Sequence, residues 1–379
     1  MATSSSTGPT KPVHILFVGA GAVGCFYASR LHHPAHNIYT SLTARSNYSA
    51  IATSGVSLET HTFGNYNFTP YAVFPSVAAA IPGSPASTNP APSQTPPPQP
   101  PPRDGWDYII VTTKALPDRT DDAALIAPLV SAKSCIILIQ NGVGVEEPYR
   151  RRFPNNPIVS AVTIVSAEQI RQGVIRQNRW TRISLGPYGH GLAKSTDSTT
   201  TASAEEVVRL GHERMEALAR WWTQHGGLRD AETHTELELQ TIRWHKLCIN
   251  AAFNPTAVLS GGRGNADQLT DPALREHVAG VMREIWDAAP AVLGRALPQD
   301  GSLATPEKII RSTERNAGAK PSMLLDWEAG RPMELEVILG NPVRIAKSAG
   351  VEMPRLQSLY ALLTSMQKVR EERGKKGKL

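Results

Sequence analysis

The stretch HILFVGAGAVGCFYASRL, residues 14–31, decides the fold of the N-terminal half of the chain. Its four consecutive apolar residues, 15–18, predict a buried strand, and Gly19, Gly21 and Gly24 follow in the spacing G-x-G-x-x-G, immediately before a helical pattern. In that context the first glycine permits a tight turn, the second lets the backbone approach a pyrophosphate, and the third lets the helix pack closely on the strand. Taken alone, the motif leaves an ordinary glycine turn as the less favoured alternative, so its meaning depends on the neighbouring segments.

Those neighbouring segments predict further strands. One ends near Leu42, one covers residues 108–111, and two more lie in SCIILIQNG and NPIVSAVTIVS. Strands that alternate with helical segments predict right-handed βαβ units and a mostly parallel, doubly wound sheet. The predicted fold class is therefore an α/β Rossmann-type N-terminal domain followed by an all-α C-terminal domain.

Composition suggests the domain limits. Residues 81–102 contain ten prolines and cannot bury enough apolar surface to order themselves, so a disordered or polyproline insertion is predicted, with a proline-rich docking site as the alternative. Helical periodicity dominates over 204–225, 232–259, 271–295, 305–317 and 333–370. The predicted layout is a disordered N-terminus 1–12, a nucleotide-binding domain 13–195 with an insertion at 81–104, a linker 196–203, a helical domain 204–370 and a basic tail 371–379.

Overall composition restricts the class of protein. The chain has 379 residues, 41% hydrophobic and 19% charged, which is ordinary for a soluble globular protein, and a modest net charge of +6 that makes nucleic-acid binding a weak hypothesis. No apolar run approaches the roughly 18 residues of a membrane span, and no secretory signal precedes the first strand. Cys25, Cys135 and Cys248 have no metal-ligand spacing and are expected to be core residues. We expect a cytoplasmic protein without a metal; a mitochondrial presequence is the less favoured alternative.

The C-terminal half contains a line of polar residues with helical spacing. In TIRWHKLCINAAFNPTAVL, Lys246, Asn250 and Asn254 recur every four residues and so share one helix face, with apolar neighbours. A narrow polar line of this kind should be partly buried and should need polar partners, such as a ligand. The alternative is a lysine that reaches solvent beside two asparagines, with Asn254 before Pro255 simply ending the helix.

Three more candidates follow predicted strands. Lys114, Asn141 and Arg45 each lie just past the carboxyl end of a strand, where the cofactor crevice of a parallel sheet forms. Asn141-Gly142 is also a common turn sequence, and Lys114 could be an exposed loop lysine. A cation such as Arg45 after the second strand suits a 2′-phosphate, which favours NADP(H) over NAD(H).

Two residues of the last third remain ambiguous on local grounds. Ser322 precedes a short predicted helix, and Glu334 lies inside a predicted helix that begins near Pro332. Ser322 could be only an N-cap, and Glu334 only a first-turn acid favoured by the helix dipole.

The order of these motifs resembles the ketopantoate reductases (2-dehydropantoate 2-reductases). The matching strings are GAGAVG, TTKA, QNG, WHKLCINAAFNP and PSMLLDWEAGRPMEL, and they extend over nearly the whole chain. The resemblance implies NADPH and a 2-oxo acid held in a cleft between a Rossmann domain and a helical domain. It implies reduction of 2-dehydropantoate to (R)-pantoate in pantothenate and coenzyme A biosynthesis. A homodimer is the assembly that we expect.

The resemblance also implies residue roles. Lys246 would be the general acid, and Glu334 would help to fix the ternary complex. The substrate would be bound by Asn250, Asn254, Ser322 through its carboxylate, and Asn141. The implied cofactor-binding residues are Gly19, Ala20, Gly21, Ala22, Val23, Gly24, Arg45, Lys114, Asn141 and Glu334. Burial would lower the pKa of Lys246 and Glu334 would raise it, and the sequence leaves the balance open.

One departure from the family pattern leaves the substrate open. The loop after Asn254-Pro255, usually a compact asparagine-glycine-glutamate-leucine string, is replaced here by SGGRGNADQL, residues 260–269, in which Asn265 is a candidate substitute. The alternatives are the same mechanism on another branched 2-oxo acid and, from a different class, a non-catalytic NADPH-binding regulatory protein. The joint presence of Lys246, Asn250 and Ser322 argues against the regulator, which needs the glycines but no proton donor.

Overall fold

The computed structural model describes residues 9–84, 99–190, 203–298, 300–316 and 318–376. The chain divides into two compact units. The first unit comprises the residues up to Thr113 together with 122–140 and 146–239; the second comprises 114–121, 141–145 and the residues from Gln240 onward.

The first unit contains all the strands of the described residues. They are β1 Val13–Val18, β2 Ile38–Thr43, β3 Val56–Thr60, β4 Gly64–Phe68, β5 Val73–Phe74, β6 Tyr108–Val111, β7 Cys135–Ile139, β8 Ile158–Arg171, β9 Val174–Pro187 and β10 Ala231–Thr233. Its helices are α1 Ala22–Ser29, α2 Tyr48–Ser54, α3 Asp122–Ile126, α4 Glu147–Arg152 and α5 Ala204–Gln224, with short 3-10 turns at Pro34–His36, Ala78–Ala80 and Ala127–Leu129.

The strands form one mixed sheet in the order β4-β3-β9-β8-β7-β6-β1-β2-β5, and β10 pairs with β9. All pairings are parallel except β3 with β4 and β8 with β9. The predicted strand over residues 108–111 coincides with β6, and β1, β2, β7 and β8 also confirm their predictions. The antiparallel β8–β9 pair, which has a register shift near Ser166, was not predicted.

Both faces of the central sheet are covered. Ile15 and Phe17 of β1 are buried in one cluster with residues of α1 and α5, whereas Leu16 and Val18 are buried in another with residues of α3. Strands that are buried on both faces have continuous apolar sequences, which is why residues 15–18 are uniformly apolar. The three cysteines are all buried and free.

The predicted boundary near residue 195 differs from the division in the structure, because α5 belongs to the first unit. Trp221 and Trp222 of α5 are buried in the same cluster as Phe17, and Trp222 Nε1 donates a hydrogen bond to the Tyr27 carbonyl at 3.1 Å. The helical unit therefore begins at Gln240 rather than at residue 204, apart from its two short segments, residues 114–121 and 141–145.

The regular elements of the second unit, over its described residues, are all helical. Its elements are α6 Glu236–Leu259, which starts four residues before Gln240, α7 Asn265–Leu269, α8 Pro272–Leu293, α9 Pro306–Thr313, α10 Ser322–Glu328, a π-helical turn Glu336–Gly340, α11 Asn341–Ser348 and α12 Pro354–Lys376. The region of helical periodicity over 333–370 is divided into separate elements, since Gly350 at φ +79° follows α11 and Pro354 begins α12.

Several predicted segments lie wholly or partly outside the described residues. These are residues 1–8 of the N-terminus, 85–98 of the proline-rich insertion, 196–202 of the linker and 377–379 of the basic tail. The described part of the predicted basic tail, residues 371–376, continues α12. Within the described residues, we find no helix whose length and apolar character would suit a membrane span. The homodimer stays a prediction.

Candidate functional site

In the first unit, the loop after β1 is shaped by its glycines. Gly19 has φ +117°, a left-handed conformation that favours glycine, and its carbonyl accepts a hydrogen bond from Thr112 Oγ1 at 2.7 Å. A Cβ on Gly24 would lie 2.1 Å from that same carbonyl oxygen. Two of the three motif glycines are therefore required by the fold itself.

Gly21 is different, because nothing in the fold requires it. A Cβ there would have no atom of the described residues within 4 Å, and Gly21 is the N-cap of α1. The first N–H groups of α1, at Ala22 and Val23, have no intrahelical acceptor by helix geometry, and no acidic side chain lies in that turn. Open space over helix N–H groups fits an anionic group such as a pyrophosphate.

The loop after β2 is joined to this glycine loop by Asn47. Its side chain is buried; Nδ2 donates to the Ala20 carbonyl at 2.7 Å and to Gln169 Oε1 at 2.8 Å, and Gln169 Nε2 donates back to Asn47 Oδ1 at 3.0 Å. Arg45, two residues earlier, is exposed. The role of Asn47 was not predicted, because an amide in a loop carries no sequence signal of its partners.

In the second unit, Lys246 lies in α6 and is partly buried. Its Nζ donates to Asn141 Oδ1 at 2.9 Å, so the lysine does not simply reach solvent. Burial lowers the Lys246 pKa to about 8; the positive charge of Arg243 acts in the same direction and Glu334 opposes both. The balance that the sequence left open therefore favours a more acidic ammonium.

Glu334 completes the cluster from another segment. The buried carboxylate accepts the Ala115 N–H at 3.0 Å and, through its other oxygen, Asn141 Nδ2 at 3.4 Å. Burial raises the Glu334 pKa, while the Ala115 N–H and Lys114 lower it. The prediction that Glu334 lies inside a helix is wrong: the helical turns begin at Leu335, so its side chain is not a first-turn acid.

Asn141 is held by a turn that packs on the π-helical turn Glu336–Gly340. Gly142 has φ +84°, and a Cβ on it would lie 2.3 Å from the Val337 carbonyl oxygen. That oxygen accepts the Val143 N–H at 2.9 Å. In π geometry its acceptor position would be filled by residue 342, which is a proline without an N–H, so the carbonyl is free to bind the turn.

Asn250 and Asn254 follow Lys246 on the same helix. Asn250 is partly buried and Asn254 is buried, and within the described residues Asn254 Nδ2 has no hydrogen-bond partner. The helix continues past Pro255 to Leu259, so Asn254 does not end it. A buried amide nitrogen without a partner among the described residues is unusual and fits a ligand or water contact.

Lys114 and Ser322 lie on two other segments of the second unit. Lys114 forms an ion pair with the buried carboxylate of Asp326 in α10, which Arg331 also contacts at 3.1 Å. Ser322 is exposed and is the first residue of α10, whose N-cap is Pro321, so it is not the cap itself. The role of Asp326 was missed, although it lies inside the quoted string PSMLLDWEAGRPMEL.

The unusual loop 260–269 folds back on the end of α6. Gly261 and Gly262 have φ +80° and +98°, and the Asn265 N–H donates to the Ala319 carbonyl at 2.9 Å. The fully buried Gln268 donates to the carbonyls of Phe253 and Arg263, both at 3.3 Å. Asn265 Oδ1 is buried and has no partner within the described residues.

Taken by itself, the second-unit cluster can transfer a proton. A partly buried amine with a pKa of about 8 is largely protonated at neutral pH, yet gives up its proton more readily than an exposed lysine. The first-unit loop, taken by itself, offers backbone N–H groups and open space to an anion. A dinucleotide-dependent reductase needs both capacities.

Comparison with known proteins agrees with these features. The family model described as Ketopantoate reductase PanE/ApbA matches residues 15–190, and that described as Ketopantoate reductase PanE/ApbA C terminal matches residues 238–367. The second match begins close to the structural boundary at Gln240.

Individual proteins are similar over most of the chain. A 2-dehydropantoate 2-reductase of Nostoc sp. is 23% identical, covering 90% of this chain and 92% of the relative, and an uncharacterized protein of Saccharomyces cerevisiae is 27% identical over 95% of each. The crystal structure of 2-dehydropantoate 2-reductase from Methylococcus capsulatus is 30% identical, with a TM-score of 0.72 over 94% of this chain and 98% of that one. The chain belongs to the ketopantoate reductase family and is an oxidoreductase that reduces a 2-oxo acid with a nicotinamide cofactor.

Proposed function

We propose that this protein reduces 2-dehydropantoate to (R)-pantoate with NADPH, the step that leads toward pantothenate and coenzyme A. The observation that carries the proposal is the cluster of Lys246, Asn141 and Glu334, with the Lys246 Nζ donating to Asn141 at 2.9 Å. Family membership supports the reaction type, and the specific substrate is the proposed part.

The cofactor, when bound, supplies a hydride to the carbonyl carbon of the substrate. We assign its pyrophosphate to the loop Gly19–Gly24, on the grounds that Gly21 leaves open space above the N-terminus of α1. Arg45, exposed after β2, would bind the 2′-phosphate with its guanidinium, which favours NADPH over NADH. We also assign Lys114 and Asn141 to cofactor contact, with the ion pair to Asp326 fixing the Lys114 ammonium.

Lys246 would act on the oxygen that becomes an alkoxide. Its ammonium stabilises the developing negative charge and then gives that oxygen a proton, which completes the hydroxyl group. A lowered pKa, about 8, brings the donor closer to the operating pH and so favours this transfer.

The remaining polar residues would orient the amine and the substrate. Asn141 accepts from Lys246 and donates to Glu334, so it holds the amine in one direction. Asn250 and the unpaired amide of Asn254 would bind polar groups of the substrate, and Ser322 its carboxylate. For Asn250 and Asn254 these roles rest on motif position together with burial, and for the exposed Ser322 on motif position alone.

The test is NADPH oxidation, followed by absorbance, with 2-dehydropantoate beside a panel of other 2-oxo acids and with NADH as the cofactor control. Turnover fastest with 2-dehydropantoate and NADPH supports the proposal. The Arg45→Ala variant should weaken NADPH binding by about tenfold while leaving NADH binding unchanged. NADPH binding without reduction of any acid in the panel would contradict the enzymatic proposal and favour the regulatory alternative.

The loop 260–269 supports a second candidate, the same mechanism on another branched 2-oxo acid. Its buried Asn265 Oδ1 has no partner within the described residues, and the loop departs from the usual family string. Faster turnover of another acid in the same panel than of 2-dehydropantoate would favour this candidate.

A further inference from the structure

Arg243 is a buried cation one helical turn before Lys246. It is 3% exposed, and in α6 a spacing of three residues brings two side chains to neighbouring positions on the helix surface. Arginine remains charged under all ordinary conditions. A second positive charge next to the proposed proton donor costs electrostatic energy, so its presence calls for a reason.

A hydrogen bond of Arg243 supplies a reason for this buried charge. Its Nη1 donates to the Gly142 carbonyl at 2.9 Å. Gly142 lies between Asn141, which accepts from the Lys246 ammonium, and Val143, whose N–H binds the Val337 carbonyl. The Gly142 carbonyl is thus bound from α6 and the Val143 N–H from the π-helical turn, and together these bonds hold the backbone of the turn that carries Asn141.

We infer that Arg243 is a positioning residue for Lys246, holding the Asn141–Gly142 turn through the Gly142 carbonyl and acting on the ammonium with its permanent charge. That Arg243 assists catalysis rests on the proposed function. That Arg243 holds the turn and acts on the Lys246 ammonium does not. Arg243 needs no contact with substrate or cofactor to act in this way.

The charges around Lys246 decide the direction of the effect. Burial and Arg243 lower the Lys246 pKa, and Glu334 raises it. Lys114 and the Lys114-bound Asp326 act one step further away, on Glu334, with opposite signs. Removing the positive charge at position 243 removes one of the two influences that lower the Lys246 pKa, while Glu334 still raises it. The ammonium should therefore keep its proton to higher pH.

Competitive labelling of lysines with acetic anhydride, read by peptide mass spectrometry across pH, measures the titration of Lys246 without any turnover. In Arg243→Gln, which removes the charge and keeps a polar side chain, we expect the Lys246 titration to move upward by about one pH unit. In Arg243→Lys, which keeps the charge, we expect it to stay within a few tenths of wild type. Arg311→Gln, at an exposed position in α9, is the matched control and should move nothing.

An unchanged Lys246 titration in folded Arg243→Gln would overturn the electrostatic part of the inference. If that variant does not fold, Arg243→Lys still tests the positioning part: an ammonium lacks the fork of the guanidinium, so kcat should fall at least about fivefold with little change in KM. Wild-type kcat in Arg243→Lys would overturn that part. A protein that reduces no acid but shows the labelling shift would contradict the proposed function and leave the inference standing.

Discussion

The glycine loop of the first unit and the lysine cluster of the second are built on opposite principles. The loop works through missing side chains: Gly19 and Gly24 let the backbone turn and pack, and Gly21 leaves open space. The cluster works through side chains that bind one another, with Lys246, Asn141 and Glu334 joined by hydrogen bonds.

This difference determines how each region tolerates change. Backbone geometry either accommodates an added methyl group or does not, so substitutions in the loop should act on folding or on space for the cofactor. In the cluster, a conservative substitution can keep the fold and still alter protonation, because the pKa of a buried group depends on its neighbours. Loop variants should therefore be read by stability and binding, and cluster variants by rate and pH dependence.

The largest effect is expected at Lys246. Lys246→Met keeps an unbranched side chain of similar length and removes the ammonium. The kcat should therefore fall about a thousandfold, while NADPH binding and thermal stability should stay close to wild type. The measurements are steady-state kinetics, cofactor fluorescence titration and thermal melting. Lys347→Met, at an exposed site in α11, is the control. Equal turnover in the two variants would contradict the role of Lys246.

The two glycines of the loop give a matched pair. Gly24→Ala places a methyl group 2.1 Å from the Gly19 carbonyl oxygen and should cost about 3 kcal/mol of unfolding free energy or more. Gly21→Ala meets open space and should change stability by less than about 0.5 kcal/mol, yet weaken NADPH binding about tenfold. Urea unfolding and fluorescence titration check both. Full cofactor affinity in Gly21→Ala would remove the assignment of the pyrophosphate to this loop.

Acid should lower the stability of the first unit through the partly buried His32. Burial lowers the His32 pKa from 6.5 to about 4, and His32 Nδ1 accepts the Thr40 N–H at 3.1 Å, which requires the neutral ring. Because the unfolded chain binds the proton more readily, this stability is present above pH 6.5 and is lost as pH falls from there toward 4, by about 3 kcal/mol.

Urea unfolding between pH 7 and pH 4 measures that loss. His32→Gln, which can still accept the Thr40 N–H, should unfold with a shallower pH dependence than wild type, and His61→Gln, at an exposed position, should follow wild type. Identical pH dependence in all three proteins would show that His32 does not contribute.

The smallest effect concerns the side chain that supports the glycine loop. Asn47→Ala removes the bonds to the Ala20 carbonyl and to Gln169, and should cost about 1 to 2 kcal/mol while weakening NADPH binding severalfold. Asn67→Ala removes a single bond from an exposed amide to the Ser54 carbonyl and should cost about 0.5 kcal/mol or less. Equal losses in the two variants would argue that Asn47 has no special part in holding the loop.

Much of the fold could be predicted because its strands are short apolar runs with polar ends. Residues 108–111 matched β6 for that reason. The three residues of β10, Ala231–Thr233, carry no periodic pattern, and only their pairing with β9 makes them a strand. Helix α5 has an amphipathic pattern, which does not indicate the unit against which its apolar face packs. The predicted domain boundary near residue 195 therefore precedes α5, whereas the observed one follows it.

The candidate site was predictable where spacing along one element sufficed. Lys246 and Asn254 each lie four residues from Asn250 on α6, and that spacing is visible in the sequence. The partners Arg243 and Asp326 were missed, because an arginine in a helix and an aspartate in a string do not reveal that they become buried. Glu334 was placed in a helix because apolar residues surround it, whereas Pro332 and the following turn delay the helix to Leu335.

The π-helical turn Glu336–Gly340 has a consequence for insertions and deletions in this chain. Such a turn accommodates one more residue than an α-helical turn, so loss of a single residue there would convert it to an α-helical turn and leave the buried and exposed faces of α11 unchanged. Ala346, now buried, would stay buried. The length of this segment should therefore vary by one residue among related chains more readily than the length of α11 itself.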